Sequence, residues 1–212
     1  RAGAGLYYKD ENFQTTGAFK FRGALNAVSS LREVDLAKGV VTFSSGNHGA
    51  ALALATGMRG TSAKVAIPHN TPEAKIRAME SYGAELSVYK IGKANRVALV
   101  DKLLAETGGE FIHPFNHFMV QAGQGTACLE LLEQAQDLDV IIAPVGGGGL
   151  ISGTAIAAHG INPRVRILGA EPAWADFGRR SQEAGRVVPS DFPPTMADGL
   201  KGGPGEVTLP II

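Results

Sequence analysis

From residue 40 onward the chain alternates between short β-rich runs and longer helical runs, and this alternation limits the possible folds more than any other feature. "GVVTFSS", "SAKVAIP", "AELSVYK", "LDVIIAPV" and "RVRILGAEP" are apolar, β-branched stretches of strand length, and "GEFIHPF" reads as a strand running into a loop. Between them, "GNHGAALALATGM", "TPEAKIRAMESYG", "ANRVALVDKLLAETG", "AGQGTACLELLEQA" and "GLISGTAIAAHG" carry helical spacing. The second of these offers Thr71 as a cap, Pro72 at the first helical position and Gly83 as a stop. Nearer the start, "GLYYK" reads as a short strand, and "GAFKFRGALNAVSSLRE" as a helix with Phe21, Leu25 and Val28 on one face. A β-α-β-α rhythm of this kind predicts an α/β fold, with open parallel sheets covered by helices. Right-handed crossovers then gather the strand-to-helix turns at the carboxyl edge of each sheet, where ligands bind.

Composition narrows the function. Twenty basic and twenty acidic side chains cancel, so the charge balance provides no footprint for nucleic acid or an anionic membrane. The 212 residues suffice for one sizeable core or two smaller ones, and the 28 glycines point to many tight loops. The single cysteine, Cys128, has no partner for an internal disulfide and reads as a small buried hydrophobe on a helix. No apolar run approaches the roughly 18 residues of a membrane span and no signal peptide is visible, so a soluble, cytoplasmic protein is expected.

Two strand-to-helix turns hold unusual residues. "APVGGGGLISG" places Gly146, Gly147, Gly148 and Gly149 directly before a helix, where bare backbone N–H groups and the helix dipole suit a phosphate. A Walker lysine is missing, which argues against a nucleoside-triphosphate loop. A dinucleotide fingerprint competes: Gly147 and Gly149 fill its first two positions and Glu171 lies where a ribose-binding acid belongs, but Ser152 replaces the third glycine. Such a nicotinamide-nucleotide module leaves the other turn without a role. In "FSSGNHG", Ser44, Ser45, Gly46, Asn47 and His48 exceed what a helix cap needs and can offer several amides and side chains to a carboxylate. A lone histidine such as His48 is an ordinary feature of a helix start. His113 and His117 are four apart but enclose Pro114, so they form no helical metal pair.

"TTGAFKFRG" seats Lys20 between Phe19 and Phe21 at the start of a helix. Apolar neighbours and the positive helix end depress the pKa of an amine, leaving it neutral and able to condense with an aldehyde. An aldehyde that also carries a phosphate would engage both Lys20 and the glycine loop, and pyridoxal phosphate is such a molecule.

Together, "TTGAFKFRG", "SSGNHG", "AGQGT", "PVGGGGL" and "ADGL" resemble, in order and spacing, the fold-type II pyridoxal-phosphate enzymes, in the threonine/serine dehydratase and serine racemase branch. The resemblance covers essentially the whole chain. It implies two open, mostly parallel sheets flanked by helices (tryptophan synthase beta-like), truncated at both ends. A large cofactor-binding domain would comprise 1–38 and 117–212, and a small mobile domain 39–116. By the same likeness Lys20 is the Schiff-base lysine and catalytic base, and Phe19 lies beside the cofactor ring. Asn47 would bond the ring hydroxyl, Gly146, Gly147, Gly148 and Gly149 would hold the phosphate, and Gly199 would lie near the cofactor. Ser44, Ser45, Gly46, Asn47 and His48 would receive the substrate carboxylate, with Ser45 matching the serine that racemases use on the opposite face.

The implied reaction converts a 3-hydroxy amino acid such as threonine or serine into a 2-oxo acid and ammonia, with racemisation as the alternative; a homodimer is also implied. The family residue that faces the pyridine nitrogen falls beyond residue 212. Relatives hold a divalent cation through E-P-x-x-A-D-D; here "EPAWADF" keeps Glu171, Ala175 and Asp176 but ends in Phe177, so no tightly bound metal is expected.

Overall fold

Every strand expected after residue 40 forms, and all pair in parallel. The computed structural model describes residues 3–212; Arg1 and Ala2, the first two of the expected large domain, lie outside the described residues. Strands β1 (Val40–Phe43), β2 (Ala63–Pro68), β3 (Ala84–Tyr89) and β4 (Glu110–Phe111) form one sheet in the order β3-β2-β1-β4, with Val40 opposite both Ala63 and Glu110. Strands β5 (Val140–Pro144) and β6 (Arg166–Ala170) form a second parallel pair, with Val140 opposite Arg166.

Packing divides the chain into two compact units, Lys20–Gly123 and Arg1–Phe19 with Gln124–Ile212. The first holds the four-stranded sheet with helices α1 (Lys20–Ser29), α2 (Glu33–Leu36), α3 (Asn47–Met58), α4 (Glu73–Ser81) and α5 (Lys93–Thr107). Helix α1 belongs to the core of this unit: Phe21, Ala24, Ala27 and Val28 pack with Ala50, Ala51, Leu52 and Ala55 of α3, over Val40 and Val65 of the sheet. The alanine-rich sequence of α3 lets it approach its neighbours closely. An added Cβ at Gly49 would lie 2.5 Å from Met79 Sδ, so the buried methionine would have to move to admit one. Gly123 is equally constrained: an added Cβ would lie 2.5 Å from the Arg22 carbonyl and 2.6 Å from Gly23 Cα, which explains the first glycine of "AGQGT".

The second unit contains β5, β6, α7 (Gly149–Ile161) and α8 (Phe177–Ala184), together with most of α6 (Phe118–Gln134). Cys128 is 2% exposed there, packed with Ile141, Ala158 and Val165, as expected of a small hydrophobe.

Four local expectations change. "GLYYK" is not a strand: Leu6, Tyr7 and Tyr8 are exposed, and among the described residues no ladder pairs with them, which an extended segment needs to become a strand. Pro72, not Thr71, is the N-cap of α4; the Thr71 hydroxyl donates instead to the Pro68 carbonyl at 2.6 Å, closing the preceding turn. Helix α6 begins at Phe118, ahead of the glycines that open the quoted motif. Helix α8 adds to the expected elements: "FGRRSQEA" offers one large apolar residue, and its cap comes from Glu171, six residues before the helix begins.

Candidate active site

In the unit Lys20–Gly123, Lys20 is the first residue of α1 and is partly buried. Its Nζ donates to the Pro114 carbonyl at 3.1 Å. Burial of the amine lowers its pKa from 10.5 to about 8. The depression matches the expectation; its setting does not rest on the flanking phenylalanines alone. Phe21 turns into the α1–α3 core, and the acceptor comes from the loop that follows β4.

That loop brings together residues that sequence spacing left unconnected. His113 stands edge-on to Phe43, Phe111 and Phe115, with ring centroids 5.1, 5.8 and 4.5 Å away. Its Nδ1 accepts from the N–H groups of Phe115 (3.3 Å) and Asn116 (2.9 Å). Burial, the Arg96 guanidinium and Lys20 press its pKa down to about 4. His48 is 3% exposed, bonds the Ile112 carbonyl through Nε2 at 3.4 Å, and has no partner at Nδ1 among the described residues. Burial, then Lys20, lowers its pKa to about 3. His117 is also shifted down by burial, and its Nδ1 accepts from Val120 N–H at 3.4 Å. Two imidazoles with depressed pKa values, His48 and His113, therefore stand within electrostatic reach of Lys20. Arg96, which the sequence did not single out, lays its guanidinium 4.1 Å above the Phe43 ring, and its buried Nε meets no acceptor among the described residues.

The expected carboxylate loop follows β1 at the carboxyl edge of the same sheet. The Ser44 hydroxyl accepts from Gly46 N–H at 3.1 Å, which folds the turn, and Gly46 is the N-cap of α3. Ser45 and Asn47 are exposed. Among the described residues, no acceptor meets the N–H groups of Ser45, Asn47 or His48, so a helix start with vacant donors is presented there. The Lys75 side chain lies over Gly46, its Cδ 3.2 Å from where a Cβ would stand.

In the other unit, the four glycines follow β5 and open α7. Gly146 (φ +49°) and Gly148 (φ +84°) adopt backbone that L side chains rarely reach. Gly148 also has no room, since an added Cβ would lie 2.6 Å from Thr208 Oγ1. The amides do not act alike. Gly148 N–H donates to the Val145 carbonyl at 2.8 Å, whereas those of Gly146, Gly147, Gly149 and Leu150 meet no acceptor among the described residues. Gly148 therefore contributes shape and its neighbours contribute donors. Gly199 sits in a short 3-10 turn, its carbonyl 3.2 Å from the Cβ position of Gly146, and so lies beside the glycine loop. Phe19 is half-buried just before Lys20.

Glu171 is engaged by nearby backbone. Its carboxylate accepts from Gly178 N–H (2.8 Å) and Arg179 N–H (3.0 Å), capping α8. Asp176 pairs with Arg179, and Phe177 is 1% exposed. The nucleotide-module alternative thus loses its acid, and the described residues contain no cluster of three or more potential metal ligands.

A family model described as "Pyridoxal-phosphate dependent enzyme" matches residues 1–212. The chain is 45% identical over 211 residues to a serine racemase of Arabidopsis thaliana, covering 100% of this chain and 64% of that protein. It is 44% identical over 213 residues to an L-threo-3-hydroxyaspartate ammonia-lyase of Saccharomyces cerevisiae, covering 100% of this chain and 65% of the relative. A solved structure of a threonine deaminase from T.th. superposes with a TM-score of 0.89 at 41% identity, over 96% of this chain and 66% of that one. The chain belongs to the family of pyridoxal-phosphate-dependent enzymes, and its parallel sheets flanked by helices are those of fold type II. It spans less than two thirds of the length of these two curated relatives.

The residues present suit that cofactor. A desolvated, readily neutral amine matches its aldehyde, and a glycine cradle with vacant N–H donors at a helix start matches its phosphate.

Proposed function

We propose that this chain forms the catalytic portion of a dehydratase, an ammonia-lyase that converts a 3-hydroxy amino acid such as threonine or serine into a 2-oxo acid and ammonia. The observation that carries this reading is Lys20: an amine whose pKa of about 8 leaves a useful neutral fraction at physiological pH. Bound pyridoxal phosphate supplies an aldehyde that condenses with amines and a ring that delocalises negative charge from the substrate Cα.

The protein's own residues do the rest. Lys20 would hold the cofactor through its amine and, when free, would take the substrate Cα proton on Nζ. The neutral state of His48 and His113 matters here, because a cation beside Lys20 would oppose its return to the ammonium form. Gly146, Gly147 and Gly149 offer N–H groups to the phosphate, and Gly199 lines the same loop. Ser44, Ser45, Gly46, Asn47 and His48, at the α3 start, would receive the substrate carboxylate, and Asn47 and Phe19 would help to hold the cofactor ring. Loss of the Cα proton and the β-hydroxyl, followed by hydrolysis, yields the oxo acid and ammonia. Closure of the 39–116 span over the substrate would exclude water during these steps.

Racemisation is the second reading, favoured by the exposed Ser45 and by the serine racemase likeness. A proton removed by Lys20 from one face and returned by Ser45 to the other would invert the substrate. We further propose a cytoplasmic homodimer; no described helix is long and apolar enough to cross a membrane. Borohydride reduction with pyridoxal phosphate and peptide mapping tests the assignment, Lys20 being the expected label. Oxo-acid release and chiral analysis of serine, before and after Ser45→Ala, separate the two reactions: the variant should keep elimination and lose inversion. A label on another lysine would overturn the assignment.

A further inference from the structure

We infer that Thr208, in the closing segment "GEVTLPII", is a positioning residue that locks the phosphate loop in its binding conformation; this rests on the cofactor reading above. Thr208 is wholly buried. Its Oγ1 donates to the Gly147 carbonyl at 2.9 Å and accepts from Gly205 N–H at 2.8 Å. Its Cβ occupies the space beside Gly148 that any side chain there would need, 2.7 Å from the Cβ position. The Thr208 carbonyl accepts from the Ser152 hydroxyl at 3.4 Å, on the first turn of α7. Beyond it, Ile212 packs on Ala143, Val145 and Ile151, and its carbonyl accepts from Gln182 Nε2 at 2.6 Å. The segment is thus fastened to the strand before the loop and to the helix after it.

The physical need is specific. Four successive glycines have no side chains to restrict them and lose much conformational freedom on ordering. An anion cradle works only if its dipoles are already oriented. In the Gly147–Gly148 peptide both polar ends are held, the N–H by Val145 O at 2.8 Å and the C=O by Thr208 Oγ1 at 2.9 Å. Without the hydroxyl only the N–H end of that peptide is held, so it can rock and carry the N–H groups of Gly147 and Gly149 on either side of it away from a common anion.

The test compares two aldehydes, pyridoxal phosphate and pyridoxal, which differ only in the phosphate. Each is titrated into the cofactor-free chain carrying Thr208, Thr208→Val or Thr208→Ser, following the visible absorbance and, for the phosphate compound, the 31P resonance. Thr208→Val should weaken pyridoxal phosphate about tenfold or more, which corresponds to one lost oriented contact. It should also shift or broaden the 31P signal while leaving pyridoxal within about twofold, and Thr208→Ser should restore both readings. Unchanged phosphate-dependent affinity in Thr208→Val, or equal weakening of both aldehydes, would overturn the inference while leaving the cofactor assignment standing. Failure of the unaltered chain to bind either aldehyde would instead remove the cofactor reading and the inference with it.

Discussion

Lys20→Met should make the cofactor-free protein more stable at neutral pH, even though it removes the amine on which the chemistry depends. Folding lowers the Lys20 pKa from 10.5 to about 8. At pH 7.4 this leaves roughly one fifth of the amine neutral, against fewer than one in a thousand for an ordinary lysine. Folding also carries a cost: a shift of this size corresponds to about 3 kcal/mol of destabilisation wherever both states would otherwise be charged. The sign follows from proton binding. Between about pH 8 and 10.5 the unfolded chain holds more of the Lys20 proton than the folded chain does, so stability rises with pH across that window; below it the cost is complete, and above it the cost vanishes. Methionine removes the penalty but leaves the Pro114 carbonyl without its donor, now 3.1 Å from Nζ, which costs about 1 kcal/mol. The net expectation is a gain of about 2 kcal/mol at pH 7, shrinking to roughly zero by pH 10. Urea denaturation of the two cofactor-free proteins at both pH values measures it, provided the dependence on urea is alike in both. A variant less stable than the parent at pH 7, or a difference that ignores pH, would refute the claim that burial depresses the Lys20 pKa.

His48 and His113, depressed to about 3 and about 4, should make the fold acid-sensitive. The unfolded chain binds the extra protons below the ordinary histidine value of 6.5, so stability should fall from pH 6.5 toward 4; a thermal midpoint that stays flat over this range would contradict their burial as neutral rings. Gly148→Ala combines a strained backbone (φ +84°) with a 2.6 Å approach to Thr208 Oγ1, and should cost at least about tenfold in pyridoxal phosphate affinity by spectral titration. Chelation should leave thermal stability and cofactor affinity unchanged, because Phe177 is buried, Asp176 pairs with Arg179 and Glu171 caps α8; loss restored by magnesium or calcium would show that another oxygen set binds the ion.

What could be read from the sequence were the features with local causes. Strand and helix runs from residue 40 onward follow from side-chain periodicity, and the glycine loop at 146–149 announces itself because glycine alone tolerates the backbone of Gly146 and Gly148. The chemical character of Lys20 was legible too, since apolar neighbours and a helix start sit beside it in the chain. The tertiary structure decided whatever depends on a partner remote in sequence. "GLYYK" has strand composition, yet a strand exists only where another strand accepts its hydrogen bonds. The Lys20 acceptor is 94 residues away, His48 meets Ile112 across 64, and Thr208 grips Gly147 across 61. Glu171 has the composition of a ligand, but once folded its charge is taken by the N–H groups that open α8. Backbone preference and hydrophobic period act over a few residues, whereas burial, pKa and hydrogen-bond satisfaction belong to whatever surrounds a group after the chain has closed on itself.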